Sequence, residues 1–253
     1  MSILLHNFSV LNKLELTLPP VGVKFDLFRP LDIPQLELDS AMSLCEMLRE
    51  CQRRSSPFYF SNENTETCVG KCLLGMEEFP PSSESGQIGK RLGIWQDPRG
   101  NRNVYRHITK LAPGSVNYVS FAPFNQITFN PDVLVIAANP DQAEAVMRAT
   151  TYATGMLYKS TATAVMGCSW FLLYPYITGE VNFVLPGIIH GPHGRHLYDS
   201  GTVLITIPYH WLPVFLASLE EMPLKLTGHE SKEHYYREFE GILTDLEGEM
   251  KNP

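Results

Sequence analysis

The segment from Ser115 to Gly155, SVNYVSFAPFNQITFNPDVLVIAANPDQAEAVMRATTYATG, limits what this chain can fold into more than any other. PDVLVIAA is a short, unbroken apolar run rich in Val and Ile, the pattern of a strand buried on both faces. Asn139 then stands where a helix N-cap belongs, and Pro140 takes the first helical position, where its missing N–H costs nothing. Gln142 stands three residues after Asn139 and can close a capping box. Ala143, Val146, Met147, Thr150 and Ala153 follow at helical spacing as one apolar stripe, and Gly155 supplies a left-handed cap. The segment reads as strand, loop, strand and capped helix.

A looser copy follows. EVNFVLPG, from Glu180, aligns Val181, Asn182 and Phe183 with Val116, Asn117 and Tyr118. GTVLITIP, from Gly201, echoes the buried strand, and the chain becomes helical in pattern from about Trp211, with Pro213 in the tolerant first turn. The expected fold is α/β (or α+β): a single compact domain over residues 1–253, with two pseudo-repeated strand-loop-strand-helix units around a mixed sheet. Two copies are too few for a solenoid.

At 253 residues the chain can bury a large core without staples. A formal charge of −7 argues against a nucleic-acid partner, since phosphate binding needs a concentrated basic face. The longest apolar run, Val165 to Ile177, is too short to span a bilayer and contains a Pro. The N-terminus lacks a basic region and a small-residue cleavage site. These features predict a cytoplasmic protein with a small-molecule partner and neither a nucleic-acid nor a membrane partner; a homo-oligomer is compatible with them.

Ile3, Leu4, Phe8, Leu11 and Leu14 predict an N-terminal amphipathic helix. A strand is expected at Val21 to Phe25 and a helix from about Asp39 to Arg54. Residues 55–99, rich in Gly, Pro, Ser and Glu, predict loops with short elements, of which Glu77 to Gly89 reads as a linker or a lid. The tail, 231–253, reads as a charged helix packed on the domain through Tyr235, Phe239, Ile242 and Leu246.

Five cysteines without an export signal argue against a disulfide framework. Cys45 and Cys51 fall on the second helix, separated by a rotation of about 240° and a rise of about 9 Å, so they read as small buried hydrophobes. Cys68 and Cys72 frame a short polar segment in which Lys71 can favour a thiolate, and one helical turn would let the pair share a metal ion. Cys168 follows Gly167 and precedes an aromatic run, which suits a buried thiol near a pocket. Cys68 and Cys168 are the candidate catalytic thiols.

The loop GIIHGPHGRHLYDSG carries His190, His193 and His196 around Arg195. Neutral imidazoles suit zinc, iron or copper, and the Arg195 fork suits a carboxylate or phosphate. The same residues also suit a solvated loop whose Gly and Pro set its turns. Phosphate-loop, dinucleotide-binding, nucleophile-elbow and H-E-x-x-H patterns are missing.

PPVGVKF (from Pro19), PFYFSNEN (from Pro57), the C-x-G-K segment from Cys68, LLGMEEFP (from Leu73), the PDVLVIAANPDQAEAVMRATTYATG run, VMGCSWFLLYPYITGEVNF and TIPYHWLP together resemble the family called domain of unknown function 169. The match spans most of the chain. The resemblance implies one α/β or α+β domain with archaeal and bacterial relatives, many from anaerobes, and supplies no catalytic residue to carry over.

Two function classes fit these residues. In the first, the chain binds or transforms an anionic metabolite or cofactor: Lys71 and Arg195 hold the anion, Phe58, Tyr59, Trp170 and Tyr174 wall the pocket, and Cys68 or Cys168 supplies reactivity. In the second, a metal ion or iron–sulfur cluster is held by Cys68, Cys72 and one or more of Cys168, His190, His193 and His196. A non-catalytic partner subunit is a third reading. The aromatic residues are better pocket material than ligand cage, which favours the first class.

Overall fold

The computed structural model describes residues 6–37, 42–62, 68–226 and 230–251. The chain forms two compact units, Met1–Glu220 and Glu221–Pro253.

The first unit is built on a six-stranded sheet of β1 (Val21–Asp26), β2 (Phe58–Ser61), β3 (Tyr118–Pro123), β4 (Val133–Ala138), β5 (Asn182–Val184) and β6 (Val203–Pro208), in the order β2-β3-β1-β4-β6-β5. β1 is inserted between β3 and β4, with Val23 opposite Phe121 on one side and Val133 on the other. Every named strand pair is antiparallel, where a mixed sheet was expected; the parallel pairing among the described residues is the isolated bridge Gln35–Tyr59. An unbroken apolar run signals burial on both faces, which central strands of either direction share, so it does not report direction.

The order strand, loop, strand, helix does occur twice, as β3, β4 and α6 (Pro140–Thr151) and as β5, β6 and α9 (Leu212–Glu221). The two differ in pairing: β5 and β6 are direct neighbours, whereas β1 separates β3 from β4.

One face of the sheet carries α1 (Leu44–Arg54), whose Leu44, Met47, Leu48 and Cys51 are buried over β1 and β3. Val21, Val23, Phe60, Phe121, Val133 and Val135 form the floor of this core. The alternate positions Leu134, Ile136, Ile205 and Ile207 are buried on the opposite face, where α6 packs on β4 and β6. The α6 cap forms as its sequence directs: Asn139 Oδ1 accepts from Gln142 N at 2.9 Å, and Gln142 Oε1 accepts from Asn139 N at 3.0 Å.

The N-terminal helix is a 3-10 helix over Phe8–Leu14, and Ile3 and Leu4 lie outside the described residues. The Gly- and Pro-rich stretch is more helical than its composition suggests. It folds into α2 (Val69–Leu73), α3 (Pro81–Glu84) and α4 (Gln87–Arg91), and α5 (Pro98–His107) follows. α5 has almost no apolar stripe, but Asp97 Oδ1 caps Arg99 N at 2.8 Å and Pro98 opens the first turn.

The second unit contains α10 (Lys232–Lys251), along which Tyr235, Phe239, Ile242 and Leu246 are about half exposed. No described helix is long and apolar enough to cross a membrane.

Replacing Asn139 with Ala removes the side-chain half of the α6 cap. The expected loss is about 1 kcal/mol in urea unfolding, with an unchanged slope.

Candidate functional site

The site begins at an irregular turn. Residues Ser169–Leu173 form a π turn, closed by Tyr174 N donating to Ser169 O. Such a widened turn displaces carbonyls from the usual helical pattern, and turns of this kind recur at functional sites. Here two side chains from the sheet take up those carbonyls. Asn182 Nδ2 donates to Trp170 O at 2.7 Å, and Thr206 Oγ1 donates to Phe171 O at 2.7 Å. Asn182 and Thr206 are themselves register partners across β5 and β6, so one rung of the sheet holds the turn.

Cys168 is the residue immediately before this turn. Its approach is fixed from the other side as well. Met166 is held in the left-handed region at φ 61°, with Trp170 Nε1 donating to Val165 O at 2.7 Å and Ser169 N to Met166 O at 2.9 Å. A Cβ on Gly167 would fall 2.9 Å from the Phe171 ring, so a side chain there would push the turn away.

Two further thiols meet Cys168. Ser43 and Glu46 form the capping box of α1: Glu46 Oε2 accepts from Ser43 N at 2.9 Å, so Cys45 sits in the first turn of that helix. The Cys45 sulfur lies 3.3 Å from Ser43 Oγ, and Cys45 and Cys168, buried in the same core, perturb one another's ionisation. Cys68 caps α2; its sulfur accepts from Gly70 N at 3.4 Å, and the Leu44 amide at the start of α1 helps to hold its ionisation down. The close approach of α2 to α1 depends on Gly70, where a Cβ would lie 2.9 Å from Leu44 Cβ and 3.4 Å from the Cys68 sulfur. Cys45 and Cys68 thus lie at the amino end of α1, and Cys168, in the same buried core, acts electrostatically on both.

That end of a helix favours negative charge. Arg195 adds to the field: its Nε lies 3.2 Å from Glu46 Oε2, and its guanidinium acts on Cys45 and Cys68. The Cys45 thiol is accordingly lowered from 9.0 to about 7, chiefly by the hydrogen bond from Cys168, with help from Ser43 and Arg195 and against its own burial. Cys168 moves the opposite way, because it donates that bond and is buried. Burial also raises Cys68 despite its amide partners. The Tyr198 hydroxyl is buried without a hydrogen-bond partner, and it lies within the electrostatic reach of Cys45 and Cys168.

A cavity of about 240 Å³ is lined by chain neighbours of two of these cysteines, although none of the three sulfurs belongs to its wall. Its wall includes Val69, next to Cys68; Val165 and Met166, just before Cys168; and Arg195, which also faces the thiols electrostatically. Ile88, Leu92 and Ile94 give it an apolar side, while Asn101 and His190 add polar groups.

The other sequence candidates disperse. Cys72 donates to Glu78 O at 3.4 Å, and Lys71 is buried in an ion pair with Glu77 at 3.1 Å. His193 and His196 line a separate cleft with Leu185 and Ile188, apart from His190. Phe58 packs into the core on Phe121, and Tyr59, on the opposite face of β2, lines a cleft with Arg29 and Gln35. Trp170 is core, and Tyr174 OH donates to Glu180 at 2.5 Å. Among the described residues no three His, Cys, Asp or Glu side chains are grouped so that they could hold a metal ion.

Cys45, read from sequence as a buried hydrophobe, is the centre of the cluster. The signal that finds it is S-x-x-E at Ser43 and Glu46, which starts the helix later than Asp39 and moves Cys45 from mid-helix to the first turn.

The ultraviolet absorbance of thiolate is expected to show one cysteine titrating near pH 7. Cys45→Ala should remove that step. Cys168→Ala deletes the proton donor and should move it to higher pH. Thr206→Val, which leaves Phe171 O unpaired, should cost about 1–3 kcal/mol in urea unfolding.

No curated protein and no solved structure matches the chain. The model of the family described as DUF169, uncharacterised ArCR, matches residues 10–217, from the first 3-10 helix through most of α9 and including all three clustered thiols. The chain therefore belongs to the DUF169 family.

Proposed function

We propose that this protein binds a small molecule with an apolar body and one anionic group, in the cavity beside the thiol cluster. The observation that carries the reading is Arg195, which belongs both to the cavity wall and to the electrostatic surroundings of Cys45 and Cys68.

The wall composition agrees with ligand recognition: mostly apolar side chains and a few convergent polar ones. At about 240 Å³ the space is below the range of about 300–1,000 Å³ usual for drug-sized ligands, which favours a compact metabolite over a dinucleotide. His190 and Asn101 offer further hydrogen bonds. The anion competes with Glu46 for the guanidinium, so binding is expected to be selective for groups that can take both of its parallel N–H donors, carboxylates above all.

Thermal-shift and calorimetric titration with a series of short branched carboxylic acids, each beside its uncharged amide, tests the reading. The acids should stabilise the protein and the amides should not. Arg195→Gln should weaken the acids by about tenfold to a hundredfold, the worth of a hydrogen bond to a charged group. Equal binding of acid and amide, or acid binding unchanged in Arg195→Gln, would sink it.

A further inference from the structure

The strand β4 ends on small residues. Val133 to Ile136 carry branched side chains, and Ala137 and Ala138 do not. A cavity of about 370 Å³ lies at that end of the sheet, with both alanines in its wall. Ala138 is the register partner of Val203, the first residue of β6, and the loop from His196 to Thr202 that leads into β6 closes another side. His196, in the left-handed region at φ 51°, turns the chain into this loop. The remaining sides come from the turn at Thr17, from α1 through Arg49 and from the start of α6 at Asn139. No wall residue is shared with the cavity that holds Arg195.

Arg49 is the charged donor of this wall. Its Nε donates to Leu197 O at 2.9 Å, and its guanidinium carbon lies 5.9 Å from the centre of the Tyr198 ring. These two contacts fix the guanidinium head. Its terminal amino groups have no hydrogen-bond or ion-pair partner among the described residues, although Asp199 belongs to the same wall. An anchored fork with its outer donors unused suits an oxyanion. Asn139 spends Oδ1 on the α6 cap, which leaves its Nδ2 without a partner among the described residues. It also stands at the amino end of a twelve-residue helix, where the dipole favours negative charge. The hydroxyls of Ser200 and Thr202 are further donors in the wall.

We infer that this cavity binds the phosphate of a small hydroxylated phosphomonoester. A carboxylate has two oxygens, and the Arg49 fork alone would occupy both. A phosphomonoester has three terminal oxygens, which can take the fork and still accept from the Asn139 amide and a wall hydroxyl. Asp199 can only accept when ionised, so it suits a hydroxyl of the ligand and not its phosphate. The volume falls within the range of about 300–1,000 Å³ usual for small-molecule sites, so it has room for a sugar-sized body beside the phosphate. The inference does not rest on the carboxylate reading of the other cavity.

Calorimetric titration of the full chain with D-ribose 5-phosphate, inorganic phosphate, D-ribose and D-ribonate tests it. Ribose 5-phosphate should bind tightest and inorganic phosphate more weakly, while ribose and ribonate should give no heat. Arg49→Gln should weaken ribose 5-phosphate by about tenfold to a hundredfold, the worth of a hydrogen bond to a charged group. Asn139→Asp keeps a capping acceptor but exchanges the amide donor for a carboxylate, so it should melt as the wild type does and lose the sugar phosphate. That variant decides the matter if Arg49→Gln does not fold. Arg195→Gln should leave ribose 5-phosphate binding unchanged, which separates this site from the carboxylate site. Inorganic phosphate or ribonate binding as tightly as ribose 5-phosphate would overturn the inference. So would the lack of heat from either phosphate at millimolar concentration, sugar-phosphate affinity unaltered in Asn139→Asp, or its loss in Arg195→Gln.

Discussion

The close approach of Gly70 to Leu44 sets how α2 lies on α1. It lets the first turn of α2 lie against the first turn of α1, which brings the Cys68 sulfur to the start of α1. Without that approach Cys68 would cap only its own short helix, and Cys45 would keep Cys168 and Ser43 as partners but lose its neighbouring sulfur. The interaction is steric before it is electrostatic. A missing side chain sets the distance, and the helix end and Arg195 then act across it.

The sheet plays a corresponding part for the third sulfur. β5 is only a few residues long and lies at the edge, yet its Asn182 reaches the carbonyl of Trp170 and pairs with Thr161 through both ends of its amide. Thr206 does the same for Phe171 from the neighbouring strand. Buried polar groups are costly unless every one is matched. Here their matching stabilises, directly after Cys168, a turn that a regular helix could not make.

What could be read from the sequence was local. The cap at Asn139 and Gln142 uses residues within one turn, and it formed as written. The same logic at Ser43 and Glu46 starts α1 a few residues after the expected Asp39, and that shift places Cys45 in the first turn. The C-x3-C pair drew attention because its members are close in sequence, but one turn of α2 sends Cys68 toward α1 and Cys72 toward Glu78. The convergence of residues 45, 68 and 168 depends on β1 lying between β3 and β4, which no periodicity encodes. The strand direction of PDVLVIAA was beyond reach for a related reason: a central strand is apolar on both sides whichever way it runs.

Met166 carries a backbone conformation that suits glycine better, at a position whose neighbour is a glycine already. For a side-chain-bearing residue the left-handed region costs roughly 1–2 kcal/mol. Met166 also contributes to the cavity wall, two residues ahead of Cys168. The cavity wall and the backbone approach to Cys168 thus share one constrained residue, so neither can be reshaped without the other.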